Sequence, residues 1–290
     1  MRSAGDPLDL ARIGRRGRQT RDCAEHLAAA CGSFLKKAAI RPHRTRYWLN
    51  SPDQQEKPEE FARRARVVCE LYAATPELHK QGVHVLSTDE KTGIQAIERD
   101  APALPMRPGQ VEKPEFNYDR HGTLCLTPNF EVATGTIVTP TIGPTRTEKD
   151  FAAHIERTVQ SDPQGTWIFV LDQLNTHMSA ALVALVALLC GIGSDLGEKG
   201  KRGILKSRHS RRAFLEDPSH RLRFVYTPRH ASWLNQVEIW FSILSRKTLK
   251  RASFTSTDHL RQRLLSFIEY FNRTMAKPYK WTYAWKALTS

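Results

Sequence analysis

No stretch of this chain is long and apolar enough to read as a membrane span. The longest apolar run, Ala180–Cys190 (AALVALVALLC), falls short of the roughly 18 residues that argue for one. The opening residues, MRSAGDPLDL, lack the apolar core of a signal peptide. Cysteine is sparse: Cys23, Cys31, Cys69, Cys125 and Cys190 are scattered, with no C-x-x-C pair. An odd, unpatterned set argues against a disulfide framework and a cysteine zinc site, and fits reduced thiols. Acidic charge is also short, with 30 Asp and Glu against 44 Lys and Arg, a net charge of +14. The expectation is a soluble, cytoplasmic protein with a polyanionic partner, nucleic acid before an anionic membrane surface. A basic protein without such a partner is the competing reading.

What is present has two textures. Residues 1–50 carry 11 Lys/Arg against 4 Asp/Glu. Within them Ala11–Arg21 (ARIGRRGRQTR) has no apolar period, so residues 1–30 are expected to be a disordered basic arm. Phe34, Leu35, Ala38 and Ala39 recur at helical spacing up to Pro42, and Glu59–Ala73 also reads as a helix. From residue 81 strands alternate with helices. Val83–Thr88 (VHVLST) reads as a buried strand, and Trp167–Leu171 (WIFVL) is a short continuous apolar run, the pattern of a strand buried on both faces. Gly122–Phe130 and Gly135–Ile142 read as a hairpin, Leu104–Pro114 as an irregular loop, and Arg223–Tyr226 as a further strand. Helices are expected at Thr147–Gln160, Ser179–Cys190, Trp233–Leu249 and Asp258–Asn272. This order predicts an α/β fold with a mixed sheet.

Two carboxylates, Asp89 and Asp172, stand where apolar strands end, which is where ligands gather in open α/β sheets. A third, Glu238, lies in the apolar helical stretch NQVEIWFSIL. Each alone is as well explained by a turn, a cap or a solvated face. If the three meet, their mutual repulsion calls for hard divalent cations, and Mg²⁺ is commonly held by a few carboxylates with water and phosphate oxygens. Two such ions suit in-line displacement at a phosphodiester.

The residues around these acids resemble a known family. Ser87–Gln95 (STDEKTGIQ), His121–Leu126 (HGTLCL), Gly143–Asp150 (GPTRTEKD), Leu171–His177 (LDQLNTH), Thr227–Phe241 (TPRHASWLNQVEIWF) and Tyr270–Tyr283 (YFNRTMAKPYKWTY) look like blocks of bacterial insertion-sequence transposases of the mariner-like superfamily, insertion sequence 630 type. The resemblance runs from about Cys31 to the end of the chain. It implies a ribonuclease H-like catalytic domain over 81–290, with Asp89, Asp172 and Glu238 as the metal-binding acids and Mg²⁺ or Mn²⁺ as cofactor. It further implies cutting of double-stranded DNA at inverted-repeat ends, insertion at TA dinucleotides, a homodimer on DNA, no membrane partner and a nucleoid-associated location.

Two departures from the family pattern stand out. Asp172 and Glu238 are 66 positions apart, with residues 191–220 as an apparent insertion. It brings Lys199, Lys201, Arg202, Lys206, Arg208, Arg211 and Arg212 toward the catalytic edge, either to hold DNA or as a solvated loop. Residues 198–251 together carry 14 Lys/Arg against 4 Asp/Glu. The second departure is at the start, where residues 31–80 read as the remnant of a helix-turn-helix region and a linker helix. An inactive or domesticated DNA-binding derivative is therefore the alternative function. His177 and His230 are candidate phosphate contacts, with a structural hydrogen-bonding role the other reading. Trp233 and Asn235 are expected to shape the start of the Glu238 helix, and the aromatics of Tyr270–Tyr283 to close a core or to stack on bases. Glu90 is left outside the site, because neighbours in a continuing strand point to opposite faces.

Overall fold

A computed structural model describes residues 55–250 and 252–283, together with Ser33. The expected basic arm over 1–30 and the helix-turn-helix remnant up to residue 54 lie outside the described residues, apart from Ser33.

The described elements run α1 (Pro58–Lys80), β1 (Val83–Thr88), β2 (Lys91–Arg99), β3 (Tyr118–Glu131), β4 (Ile137–Gly143) and α2 (Glu148–Gln160). They continue with β5 (Thr166–Leu171), α3 (Ala180–Leu189), α4 (Arg208–Leu215), β6 (Leu222–Tyr226), α5 (Val237–Leu244) and α6 (Thr257–Thr274). Six strands form one mixed sheet in the order β2-β3-β1-β5-β6, with β4 also paired to β3. β1, β5 and β6 are mutually parallel, whereas β3 is antiparallel to β1, β2 and β4.

β1 and β5 are each buried on both faces, which explains the continuous apolar run of β5. Along β5, Ile168 and Val170 join one core with α1, α5 and α6, while Trp167, Phe169 and Leu171 join a second with α2, α3 and α4. β1 divides likewise, Val85 to the first core and Leu86 to the second. Helices on both faces are the requirement a parallel sheet imposes. The C-terminal aromatics close the first core: Tyr279 stacks on Phe130 at 4.6 Å and Trp281 meets Tyr72 edge-on at 5.1 Å. Tyr270 remains exposed.

Three elements differ from expectation. β2 reads poorly as a strand because Gly93 sits at φ +63° beside a bulge, and only Ile94 and Ala96 are buried. α1 runs on to Lys80 through Pro76. The basic insertion is folded: Glu198 bridges Arg202, and Ser207 caps α4 through a reciprocal capping box with Ser210. That helix buries little beyond Leu215, so no apolar period announced it. Among the described residues no helix is long and apolar enough to cross a membrane.

Candidate active site

The pairing of β1 with β5 carries the first two acids together. Their register runs from Val83 opposite Thr166 to Ser87 opposite Val170. Continued two residues, it sets Asp89 opposite Asp172, on neighbouring strands whose spacing is about 4.8 Å. Both lie at carboxyl ends of parallel strands. β1 and β2 pair with successive stretches of β3, Asn129–Glu131 and Tyr118–Leu126. Asp89 and Glu90 are thus the break between two strands, not positions within one.

Glu238 is brought in by the turn before α5. Asn235 is fully buried. It accepts a hydrogen bond from the Ser87 hydroxyl and donates its amide to the Thr88 carbonyl at 2.9 Å and to Asp89 Oδ2 at 3.4 Å. The Ser87 hydroxyl in turn accepts the Val237 N–H at 2.8 Å. These bonds tie the first turn of α5, with Glu238 in it, to the end of β1. Asn235 does shape the start of this helix, while Trp233 lies half exposed against Tyr283.

Beneath the acids lies a buried polar network. Thr88 donates to Asn129 Oδ1 at 2.6 Å, His154 Nε2 contacts the same oxygen at 3.0 Å, and His154 Nδ1 meets the Thr141 hydroxyl at 2.7 Å. Burial pushes His154 down to about 3, helped by the charges of Arg157 and His177, so this imidazole is neutral.

His177 is the opposite case. Its ring is enclosed, with Nδ1 2.7 Å from Asp172 Oδ1 and Nε2 3.0 Å from Glu90 Oε2. Burial opposes its charge, but hydrogen bonds to Asp172 and Glu90, and the charges of both, raise it to about 10. It is an imidazolium clamped between two carboxylates. Asp172 responds in kind: burial would raise it, yet the His177 bond and charge, the Leu174 N–H and Arg208 hold it below the usual carboxylate range. Asp89 is pushed up to about 7, first by burial and then by the Asp172 charge, against the Glu90 N–H and His177. Glu238 is also raised, by burial above all, with Lys91 opposing and Asp172 reinforcing.

The expected DNA contacts divide. Lys199, Lys201, Arg202 and Lys206 are exposed, the first three paired with Glu148, Glu198 and Asp195. Arg208, Arg211 and Arg212 are half-buried and employed inside the protein. Arg208 donates to the Gln173 carbonyl, Arg211 to the carbonyls of Met178 and Leu205, and Arg212 to Glu216 while lying over the Tyr226 ring. His230 is exposed, with a left-handed backbone at φ +54°. His177 does not present its ring to a partner, since two carboxylates and the core enclose it. Glu90 belongs beside the acids after all, because the alternation of a continuing strand does not hold across a strand break. Its side chain is 3% exposed, and an acid buried next to another acid needs a cation, which His177 supplies.

A family model described as DDE superfamily endonuclease matches residues 84–261. Among solved structures, the Mos1 strand transfer complex aligns with a TM-score of 0.53 at 11% identity, covering 94% of this chain and 76% of that chain. The Mos1 mariner paired end complex with Mn aligns at 0.50 and 14% identity, covering 93% and 74%. These likenesses show the fold, the ribonuclease H-like mixed sheet flanked by helices. No curated protein matches the sequence.

Proposed function

The chain belongs to the DDE superfamily endonucleases, and from that premise we propose that it is a DNA transposase in which Asp89, Asp172 and Glu238 hold the divalent cations. The observation that carries this reading is the level placement of Asp89 and Asp172 at adjacent parallel strand ends, with Glu238 laced to the same edge through Asn235 and Ser87.

The donor set fits hard cations. All three are oxygen donors, and the Asp172 charge disfavours an anion at both Asp89 and Glu238. Mg²⁺ or Mn²⁺ offsets such crowding and prefers such ligands. When bound, the cations would activate the attacking oxygen and stabilise the leaving one. The protein's own residues do the positioning. His177, itself held by Glu90, orients Asp172 and keeps it charged, and the Asn235 amide steers Asp89.

The solved likenesses are transposase assemblies with paired ends or in strand transfer. By that likeness the substrate is DNA at transposon ends; that it is double-stranded, that the target is a TA dinucleotide and that the working form is a homodimer on DNA follow from the resemblance of the sequence blocks. Such a protein works in the cytoplasm at the nucleoid. Lys199, Lys201, Arg202, Lys206 and His230 are the exposed groups that meet phosphate. The test is cleavage of inverted-repeat DNA with Mg²⁺ beside a binding assay. Asp89→Ala, Asp172→Ala and Glu238→Ala are each expected to abolish cleavage and leave binding within about threefold. Full cleavage by any one of them overturns that residue's assignment. Binding without cleavage by the unaltered chain overturns the enzyme reading.

A further inference from the structure

At the other end of β1 lies a second cluster, made of different donors. Among the described residues, the group of three whose ligand atoms all fall within 4.8 Å of one another is His79, His84 and Glu131, not the acid triad. His79 comes from the last turn of α1, His84 from the start of β1 and Glu131 from the end of β3. Glu131 Oε1 is 2.8 Å from His84 Nδ1 and 3.7 Å from His79 Nδ1. The donor atoms around a tetrahedral zinc ion are separated by about 3.3 Å, given metal–ligand bonds near 2.0–2.1 Å. The two observed separations straddle that value.

The surroundings supply what such ligands need. The far nitrogen of His84, Nε2, lies 3.1 Å from Asp162 Oδ2, the carboxylate–histidine arrangement that fixes the tautomer and orientation of a metal-ligating imidazole. The other oxygen of Asp162 accepts the Gly165 N–H at 3.2 Å. A Cβ at Gly165 would stand 2.6 Å from Asp162 Oδ2 and 3.1 Å from the His84 ring, so a side chain there would displace the Asp162 carboxylate from its place beside His84. The His84 ring stacks on Trp167 at 4.1 Å. Glu131 is nearly buried, and its second oxygen accepts the Thr134 hydroxyl at 3.0 Å. His79 is 40% exposed, which leaves one side open to solvent for a fourth ligand.

We infer that His79, His84 and Glu131 form a binding site for a zinc-type divalent cation, with Asp162 orienting His84. Two imidazoles and one carboxylate suit Zn²⁺ or Co²⁺, whereas Mg²⁺ prefers oxygen donors. The site stands about 16 Å from Asp89 along β1 at the usual rise per residue and shares no residue with the acid triad. A cation there pins the end of α1 to β1 and β3.

The test is Co²⁺ titration of the full chain in the visible, with Zn²⁺ as competitor and millimolar Mg²⁺ present throughout. The unaltered protein is expected to take up one Co²⁺ with the intense absorption of a four-coordinate ion, which Zn²⁺ abolishes and Mg²⁺ does not. The triple variant Asp89→Asn, Asp172→Asn, Glu238→Gln keeps the signal. Glu131→Gln and His84→Gln lose it, and Asp162→Asn weakens binding about 10- to 100-fold. His79→Gln alters a ring that is 40% exposed at a helix end, so its loss of signal is read on a folded protein even where His84→Gln unfolds. No four-coordinate band, a band that survives both His79→Gln and Glu131→Gln, or one lost in the acid variant overturns the proposal.

Discussion

The two ends of β1 carry histidine–carboxylate clusters built to opposite plans. At the carboxyl end acids outnumber the imidazole. His177 is enclosed between Asp172 and Glu90, and the acids left over, Asp89 and Glu238, are disfavoured as anions by their surroundings. At the amino end imidazoles outnumber the acid that links them. Glu131 lies between His79 and His84, and Asp162 backs His84 from outside. One strand thus presents a hard, oxygen-rich site and a softer, nitrogen-rich one. The difference teaches that histidine near a carboxylate has no single meaning. Like His177, His84 meets a carboxylate at each ring nitrogen; what distinguishes the amino end is a second imidazole, His79, at a partly open edge.

The largest effect expected from breaking this contrast is at the acid end. Asp172→Asn should lower single-turnover cleavage at least about 10³-fold if Asp172 holds a cation as proposed, since a charged ligand is then removed while the fold and the DNA-binding surface remain. Next comes the clamp. His177→Gln leaves Glu90 buried without its cation, a change that costs about 3–5 kcal/mol where a buried ion pair loses one partner. Urea unfolding checks it, and the pair His177→Gln with Glu90→Gln should regain part of the loss.

A third expectation concerns acid. His154 sits at about 3 in the folded protein against about 6.5 in an unfolded chain. The unfolded state therefore binds the proton first as pH falls. The stability tied to neutral His154 is complete above pH 6.5 and declines from there down to about pH 3, by about 4–5 kcal/mol in full. Near pH 5 the decline is about 2 kcal/mol, and His154→Gln should flatten that part of the pH–stability curve. The network that His154 anchors supports Thr88, so the acid end of β1 should loosen first, as local hydrogen exchange would reveal. The smallest effect belongs to the exposed basic residues. Changing Lys199, Lys201, Arg202 and Lys206 together to Ala should weaken DNA binding about equally for all sequences. It should also reduce the salt slope by about 0.9 for each phosphate that is no longer neutralised.

Much of this was readable beforehand, for identifiable reasons. WIFVL announced a central strand because burial on both faces leaves no polar position, and VHVLST, though it carries His84, Ser87 and Thr88, read as a buried strand ending at an acid. Thr147 and Ser179 marked helix starts because their hydroxyls cap the N–H groups that follow. β2 and α4 were not readable, since each buries too few side chains to create a period. The sequence left Glu90 outside the site, and left His177 open between a phosphate contact and the structural hydrogen-bonding role it fills, for one shared reason. Their pairing crosses from a strand break to a short 3₁₀ turn 87 positions away, and no local spacing encodes such a pairing. The same holds for Arg208, Arg211 and Arg212, whose charge suggested DNA and whose guanidinium groups instead satisfy carbonyls and an acid inside the protein.

By itself, then, the sequence determined the chemical inventory: which acids follow which apolar runs, the basic excess, and the blocks that placed the chain in its family. Local chemistry is enough for these, because strand burial, capping and charge are properties of neighbours in the chain. Only the tertiary structure decided which groups meet. The β1–β5 register sets Asp89 level with Asp172, the break after Thr88 turns Glu90 toward His177, and the closing of α1, β1 and β3 around one corner joins His79, His84 and Glu131. Each depends on packing two cores against opposite faces of one sheet, where a one-residue shift of β1 would send His84 and the other side chains of that strand to the opposite face.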